Sequence, residues 1–161
     1  MKQKREEEFM SMINTFNRVI YKICCVYATD SDNVNDLYQE TVINLWKGYE
    51  NFRGQSKISS WIYRVSINTC ISFYRHNKKH QETIALTTDH DHINGDNDYM
   101  NQLKEMYRLI NQLNKIEKAI ILLWLDEKSY DEIAEVMGMN KNTIASKVKR
   151  IKEKLTKLSN E

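Results

Sequence analysis

The chain reads as all-α: two small helical domains joined by a flexible acidic linker. Three observations predict this. There is no proline and there are four glycines among 161 residues, so few positions break a helix. Apolar residues recur at helical spacing, and strand-like alternation is absent over any useful length. Residues 82–97, ETIALTTDHDHINGDN, lack helical periodicity and are rich in Asp, Asn, Thr and His. They mark a linker between residues 1–81 and 98–161, each half near the lower size limit for an independent core.

The first helix covers Glu6 to Ala28, with Phe9, Met12, Ile13, Phe16, Val19, Ile20, Ile23 and Tyr27 as its apolar stripe. Thr29 to Asp32 breaks it and supplies N-cap side chains. A second helix sets Val34, Leu37, Thr41, Val42, Leu45 and Trp46 on one side. Its outer face carries Asp36, Gln39, Glu40 and Asn44. GYENFRGQSK, residues 48–57, reads as a loop because it holds Gly48 and Gly54. Ser56 is placed to cap a third helix that runs to about Lys79, with Ile58, Ile62, Val65 and Thr69 inward.

After the linker, a fourth helix spans Tyr99 to Leu113, with Leu103, Met106, Ile110 and Leu113 inward. A fifth spans Lys115 to Leu125 and is apolar at Ile116, Ile120, Leu123 and Trp124. Ser129 and Glu132 then form a Ser-x-x-Glu capping box that starts a short helix. Gly138 marks a turn where positive φ is cheap, and Asn140 caps a second helix. From there Ile144, Val148, Ile151, Leu155 and Leu158 make one helical stripe. The other face holds Lys141, Lys147, Lys149, Arg150, Lys152, Lys154 and Lys157 against one acid, Glu153. A short helix, a glycine turn and a basic amphipathic helix form a helix-turn-helix suited to a DNA major groove.

Charge is distributed unevenly although its net value is only +2. Between Arg53 and Gln81 stand Arg53, Lys57, Arg64, Arg75, Lys78 and Lys79 with no acid. Between Glu82 and Asp98 there are five acids and no Lys or Arg. Two positive zones about an acidic spacer suit two contacts with a polyanion. In the first zone Trp61, Arg64, Asn68, Tyr74 and Arg75 alternate with core positions, a pattern suited to unstacked bases and a single-stranded backbone. The second helix offers a different surface, Asp36, Gln39 and Glu40 beside an exposed Trp46, which suits a protein partner.

Enzymatic readings do poorly. No Gly-rich phosphate loop, HExxH or nucleophile elbow is present. His76 and His80 stand i, i+4, but Arg75, Lys78 and Lys79 beside them repel a cation, so no metal or other cofactor is expected. The cysteines, Cys24, Cys25 and Cys70, are odd in number and read as reduced thiols of a core. No apolar run approaches a membrane span, and the N-terminus has no apolar segment of signal-peptide type, so a cytoplasmic location without membrane insertion is expected.

DLYQE, then FRGQSKISSWIYRVSINTCISFYR, an acidic spacer and SYDEIAEVMGMNKNTIASKVKRIKEKL follow in order. This order resembles the extracytoplasmic-function sigma factors, the small group of the sigma-70 family that carries regions two and four. The resemblance covers roughly residues 8–157. It implies a protein without a catalytic centre that guides RNA polymerase core to promoter DNA. Asp36, Gln39, Glu40 and Trp46 fall on the positions that dock on the clamp of the largest subunit. Arg53, Lys57, Ser59, Trp61, Arg64, Asn68, Tyr74, Arg75, Lys78 and Lys79 fall in the part that reads the minus-10 element. Lys141, Asn142, Thr143, Ala145, Ser146, Lys147, Lys149 and Arg150 would read the minus-35 duplex. The apolar side of region four would rest on the polymerase flap tip, and an anti-sigma factor is an expected partner. Departures exist: Asn114 and Asn140 stand where many members have proline, and Trp61-Ile62 stands where primary sigma factors have two tryptophans. The alternative is a free-standing helix-turn-helix regulator.

Overall fold

The computed structural model describes residues 2–76 and 97–161. Among these, seven helices follow in order: α1 (Lys2–Tyr27), α2 (Ser31–Tyr49), α3 (Ile58–His76), α4 (Asn97–Ile110), α5 (Lys115–Leu125), α6 (Tyr130–Met137) and α7 (Lys141–Ser159). The first three pack on one another as one bundle. Helices α5, α6 and α7 form a second, with α4 against α7. All expected helices are present. The expected linker lies outside the described residues, apart from Asn97 at the start of α4.

Short-range side-chain bonds set most helix starts. Asp30 accepts the Asn33 N–H at 2.7 Å and begins α2. Asn114 and Glu117 close a reciprocal capping box on α5, at 2.8 and 3.0 Å. Ser129 accepts the Glu132 N–H at 3.1 Å to begin α6. Asn140 accepts the Thr143 N–H at 2.7 Å to begin α7. Gly138 ends α6 in the left-handed region at φ 68°, as the turn demands. Asn114 therefore starts α5 as its cap without a proline.

Buried side chains follow the expected stripes. Ile20, Ile23, Leu37, Leu45 and Ile62 fill the first bundle; Ile110, Ile120, Leu123, Ile133 and Ile144 fill the second. Each such residue stabilises the fold by about 1.5–3 kcal/mol through burial. Cys24, Cys25 and Cys70 are reduced thiols buried in the first core. The adjacent Cys24 thiol, then burial, push the Cys70 thiol well above its ordinary value, so it stays protonated and acts as a small hydrophobe.

Three local expectations are corrected. Gly48 and Tyr49 belong to α2 rather than to a loop. At Gly48 a Cβ would lie 3.2 Å from Trp61 Cζ2, so glycine there permits a close approach of α2 to that ring. Helix α3 begins after Lys57, whose carbonyl accepts the Trp61 N–H at 3.1 Å, one residue later than a Ser56 cap would set it. Ile116 is 38% exposed rather than inward. Helix α5 packs against α7, α6 and α1, so its buried arc is centred on Ala119 to Leu123 and leaves Ile116 at the rim.

The end of α5 is unusual. Glu127 takes φ 62° with no glycine to ease it. Its N–H bonds the Trp124 carbonyl at 3.0 Å, and the Lys128 N–H bonds the Leu123 carbonyl at 3.1 Å, closing a Schellman-type end. A left-handed L-residue costs about 1–2 kcal/mol, and glycine there loses about 0.5–1 kcal/mol of chain entropy instead. Glu127→Gly is expected to stabilise the fold by about 0.5 kcal/mol, read as a raised urea midpoint at unchanged m-value.

Candidate nucleic-acid and polymerase interfaces

The buried edge of α7 is Ile144, Val148 and Ile151. Helical geometry then turns Asn142, Ser146, Lys149 and Arg150 to the opposite side, and all four are exposed. Lys141 is exposed as well and stands 3.5 Å from Asp131 across the turn. Thr143, Ala145 and Lys147 are half-buried on the flanks, so three of the eight expected minus-35 residues line the edges of the face rather than its centre. Further along, Lys154 reaches Glu117 at 3.1 Å, and Lys152 lies 4.0 Å from the Trp124 ring centroid. Those two lysines tie α7 to α5, whereas Lys149 and Arg150 lie on the exposed face.

On α2, Asp36, Gln39 and Glu40 are exposed on one face. Ile43 completes that face and is 46% exposed, the apolar centre of an acidic rim. The sequence reading missed it; its position i+3 from Glu40 and i+7 from Asp36 was the available signal. Trp46 is corrected. It is half-buried, edge-on to Phe9 at 4.9 Å and covered by the Arg5 guanidinium at 5.4 Å. Arg5 is held there by Glu50 at 3.0 Å. The physical reason is that position 46 sits at the border of the apolar stripe, and α1 is long enough for its first turns to close over it.

The basic segment is only partly open. Arg53 and Asn68 are exposed, and Ser59 is half-buried. Gln55 accepts the Arg53 N–H at 2.8 Å, which folds the loop on itself. Trp61 is half-buried, its ring 5.0 Å from Phe52, with the rest of the indole over Gly48. Lys57 and Arg64 face the second bundle: Lys57 Nζ is 4.0 Å from Glu132, and Arg64 donates to the Glu135 carbonyl at 2.9 Å. Lys78 and Lys79 lie outside the described residues, as do the side chains of Tyr74 and Arg75.

Beside them the two bundles touch through Asp126. Its carboxylate accepts from the Lys22 ammonium on α1 and from the Tyr63 hydroxyl on α3. Burial first, then this bond, push the Tyr63 hydroxyl well up, so it remains a donor. Tyr27 adds a bond to the Lys115 carbonyl at 2.5 Å. Sequence reading found none of these contacts, because no local pattern links residues that far apart.

A groove of about 400 Å³ opens between α4, α5 and α7, lined by Met106, Leu109, Trp124, Leu125 and Leu155. Among the described residues no group of three or more His, Cys, Asp or Glu is placed to hold a metal ion, and no helix is long and apolar enough to cross a membrane.

A basic helix-turn-helix, a second cationic-aromatic helix and an acidic exposed face on one helical frame define a multi-surface transcription protein. Residues 12–80 match the family model of Sigma-70 region 2, and residues 103–155 match that of Sigma-70, region 4. The chain belongs to the extracytoplasmic-function group of the sigma-70 family. It is an RNA polymerase sigma factor that directs transcription initiation, and it is not an enzyme.

It is 26% identical over 154 residues to RNA polymerase sigma factor SigV of Bacillus subtilis strain 168, covering 92% of this chain and 89% of that protein. It is 23% identical over 167 residues to the ECF RNA polymerase sigma-E factor of Haemophilus influenzae, covering 95% of this chain and 88% of that one. A solved structure of the sigma factor RpoE from Bartonella quintana, in complex with the anti-sigma factor NepR, superposes with TM-score 0.77 at 21% identity, over 96% of this chain and 98% of that one. CnrH, solved with the cytosolic domain of CnrY, gives 0.71 at 15% identity, over 96% and 89%. These two likenesses are of fold.

Proposed function

We propose that residues 1–81 bind core polymerase and read the minus-10 element, that residues 82–97 link, and that residues 98–161 read the minus-35 duplex. The observation that carries this is the exposed α7 face, Asn142, Ser146, Lys149 and Arg150, opposite a fully buried edge. A face of this mixture gives phosphate affinity from the cations and base choice from the amide and hydroxyl. The Asp36–Gln39–Glu40 face about Ile43 suits a basic clamp on the largest polymerase subunit. The α4–α5–α7 groove suits an apolar segment such as the flap tip. Trp61, wedged at one edge and open at the other, suits a base leaving the stack. An anti-sigma partner is supported by the relative solved with one. The site of action is the cytoplasm, where polymerase works.

Run-off transcription with core polymerase and genome-wide mapping of start sites test this reading. Mapped promoters are expected to share two elements at fixed spacing; start sites without a common upstream element would count against it. Trp61→Ala is expected to slow promoter opening about tenfold, since stacking one base is worth about 1–3 kcal/mol. Closed-complex binding should change little. Permanganate reactivity at the start site follows opening, and unaltered reactivity would remove Trp61 from the role.

A further inference from the structure

Gly48 stands in the last turn of α2, where the backbone is helical and does not require glycine. Among the described glycines, only Gly54 and Gly138 take positive φ. Glycine is one of the poorest helix formers, so its presence at position 48 has another cause. That cause is the Trp61 indole on the first turn of α3. A Cβ at position 48 would stand 3.2 Å from Trp61 Cζ2 and 4.0 Å from Cε2, both atoms of that one ring. Phe52 meets the same indole, with ring centroids 5.0 Å apart and a tilt of 32°. We propose that Gly48 is a positioning residue for promoter opening: its bare Cα is the seat that sets how far the Trp61 indole projects towards an unstacking base. This rests on the reading of Trp61 given above.

The seat is firm, so an added methyl group would move the ring rather than the helix. One turn earlier on the same face of α2, Asn44 donates to the Thr69 hydroxyl of α3 at 2.9 Å. From α1, Phe9 packs against Trp46 at 4.9 Å and Tyr49 at 5.4 Å, the residues that flank Gly48 in the last turns of α2. The Arg5 guanidinium covers both rings, at 5.4 and 5.9 Å, and Glu50 holds it at 3.0 Å. Helix α2 is thus gripped by α1 and α3 at the level of Gly48. Trp61 has the freedom that α2 lacks: it is half-buried, and its neighbour Phe52 stands on the loop after α2. A Cβ at 3.2 Å is tighter than ordinary contact, so the indole must give by a few tenths of an ångström. A ring displaced and retilted stacks less well on a base.

The test is made on holoenzyme at saturating core, so that any change in docking drops out. Gly48→Ala is expected to slow promoter opening about threefold to fivefold, less than the loss expected for Trp61→Ala. Trp61→Phe removes the benzo ring that carries Cζ2 and keeps one aromatic face. In that background Gly48→Ala should change opening by less than about 1.5-fold, because the added methyl group meets nothing. The full chain labelled with 5-fluorotryptophan supplies a second readout by fluorine NMR. The resonance lost in Trp61→Phe should shift in Gly48→Ala, while that of Trp124 in the second bundle reports an intact fold. Unchanged opening in Gly48→Ala, equal slowing in the Trp61 and Trp61→Phe backgrounds, or an unmoved Trp61 resonance would each overturn the proposal. Trp61→Ala separates it from the underlying reading. If Trp61→Ala holoenzyme opens promoters normally, the reading of Trp61 falls. If it opens them slowly and Gly48→Ala does not, the seat alone falls.

Discussion

Replacing Lys149 and Arg150 together with alanine is expected to lower affinity for minus-35 duplex by roughly 10- to 100-fold at moderate salt. Both side chains are exposed on the α7 face that opposes Ile144, Val148 and Ile151. Neither belongs to the ties that hold α7 to the fold, which use Lys152 and Lys154. The loss therefore comes from counterion release and base contacts, and stability should stay within about 0.5 kcal/mol. The slope of log affinity against log salt should become shallower by about two, one for each phosphate contact removed. Fluorescence anisotropy across a salt series reads both quantities with holoenzyme on a promoter duplex. Core association by the same variant should be unchanged. An unaltered slope would mean that α7 does not meet the phosphates through these residues.

Reversing charge at Asp36 and Glu40, to lysine at both, is expected to reduce association with core polymerase more than about tenfold. The effect should be largest at low salt, because both groups are exposed and act through solvent within a Debye length of about 10 Å. Neither is an N-cap: Asp30 performs that role for α2, so the helix should survive, as circular dichroism would record. The apolar centre, Ile43, should then retain a residual, salt-insensitive affinity. Surface plasmon resonance against immobilised core separates these contributions. Full retention of affinity would place the docking face elsewhere.

Much of this architecture is legible in the order of residues alone. The capping boxes at Asn114/Glu117 and Ser129/Glu132 span three residues each, and the Gly138 turn is likewise local. Stripes such as Ile144, Val148 and Ile151 also follow from helical period alone. Periodicity fails where it allows two answers. Trp46 stands at the border between stripe and surface, and only the reach of α1 decides that Arg5 and Phe9 cover it. Ile116 escapes for the same reason, since α5 has neighbours on three sides. Lys57 and Arg64 are readable as cations, but the acidic helix set against them is not.

The sequence by itself determined the seven helices, most of their caps, the helix-turn-helix and the alternation of basic and acidic zones, because those depend on bonds and spacings within a few residues. Only the tertiary structure decided which surfaces remain open. Asp126 meets Lys22 across 104 residues and Tyr63 across 63, and Arg64 meets Glu135 across 71. Such pairs form only when two bundles have packed and their partly desolvated charges have found donors. Local propensity carries no information about that choice, and it is that choice which sets an acidic helix against the cations of α3.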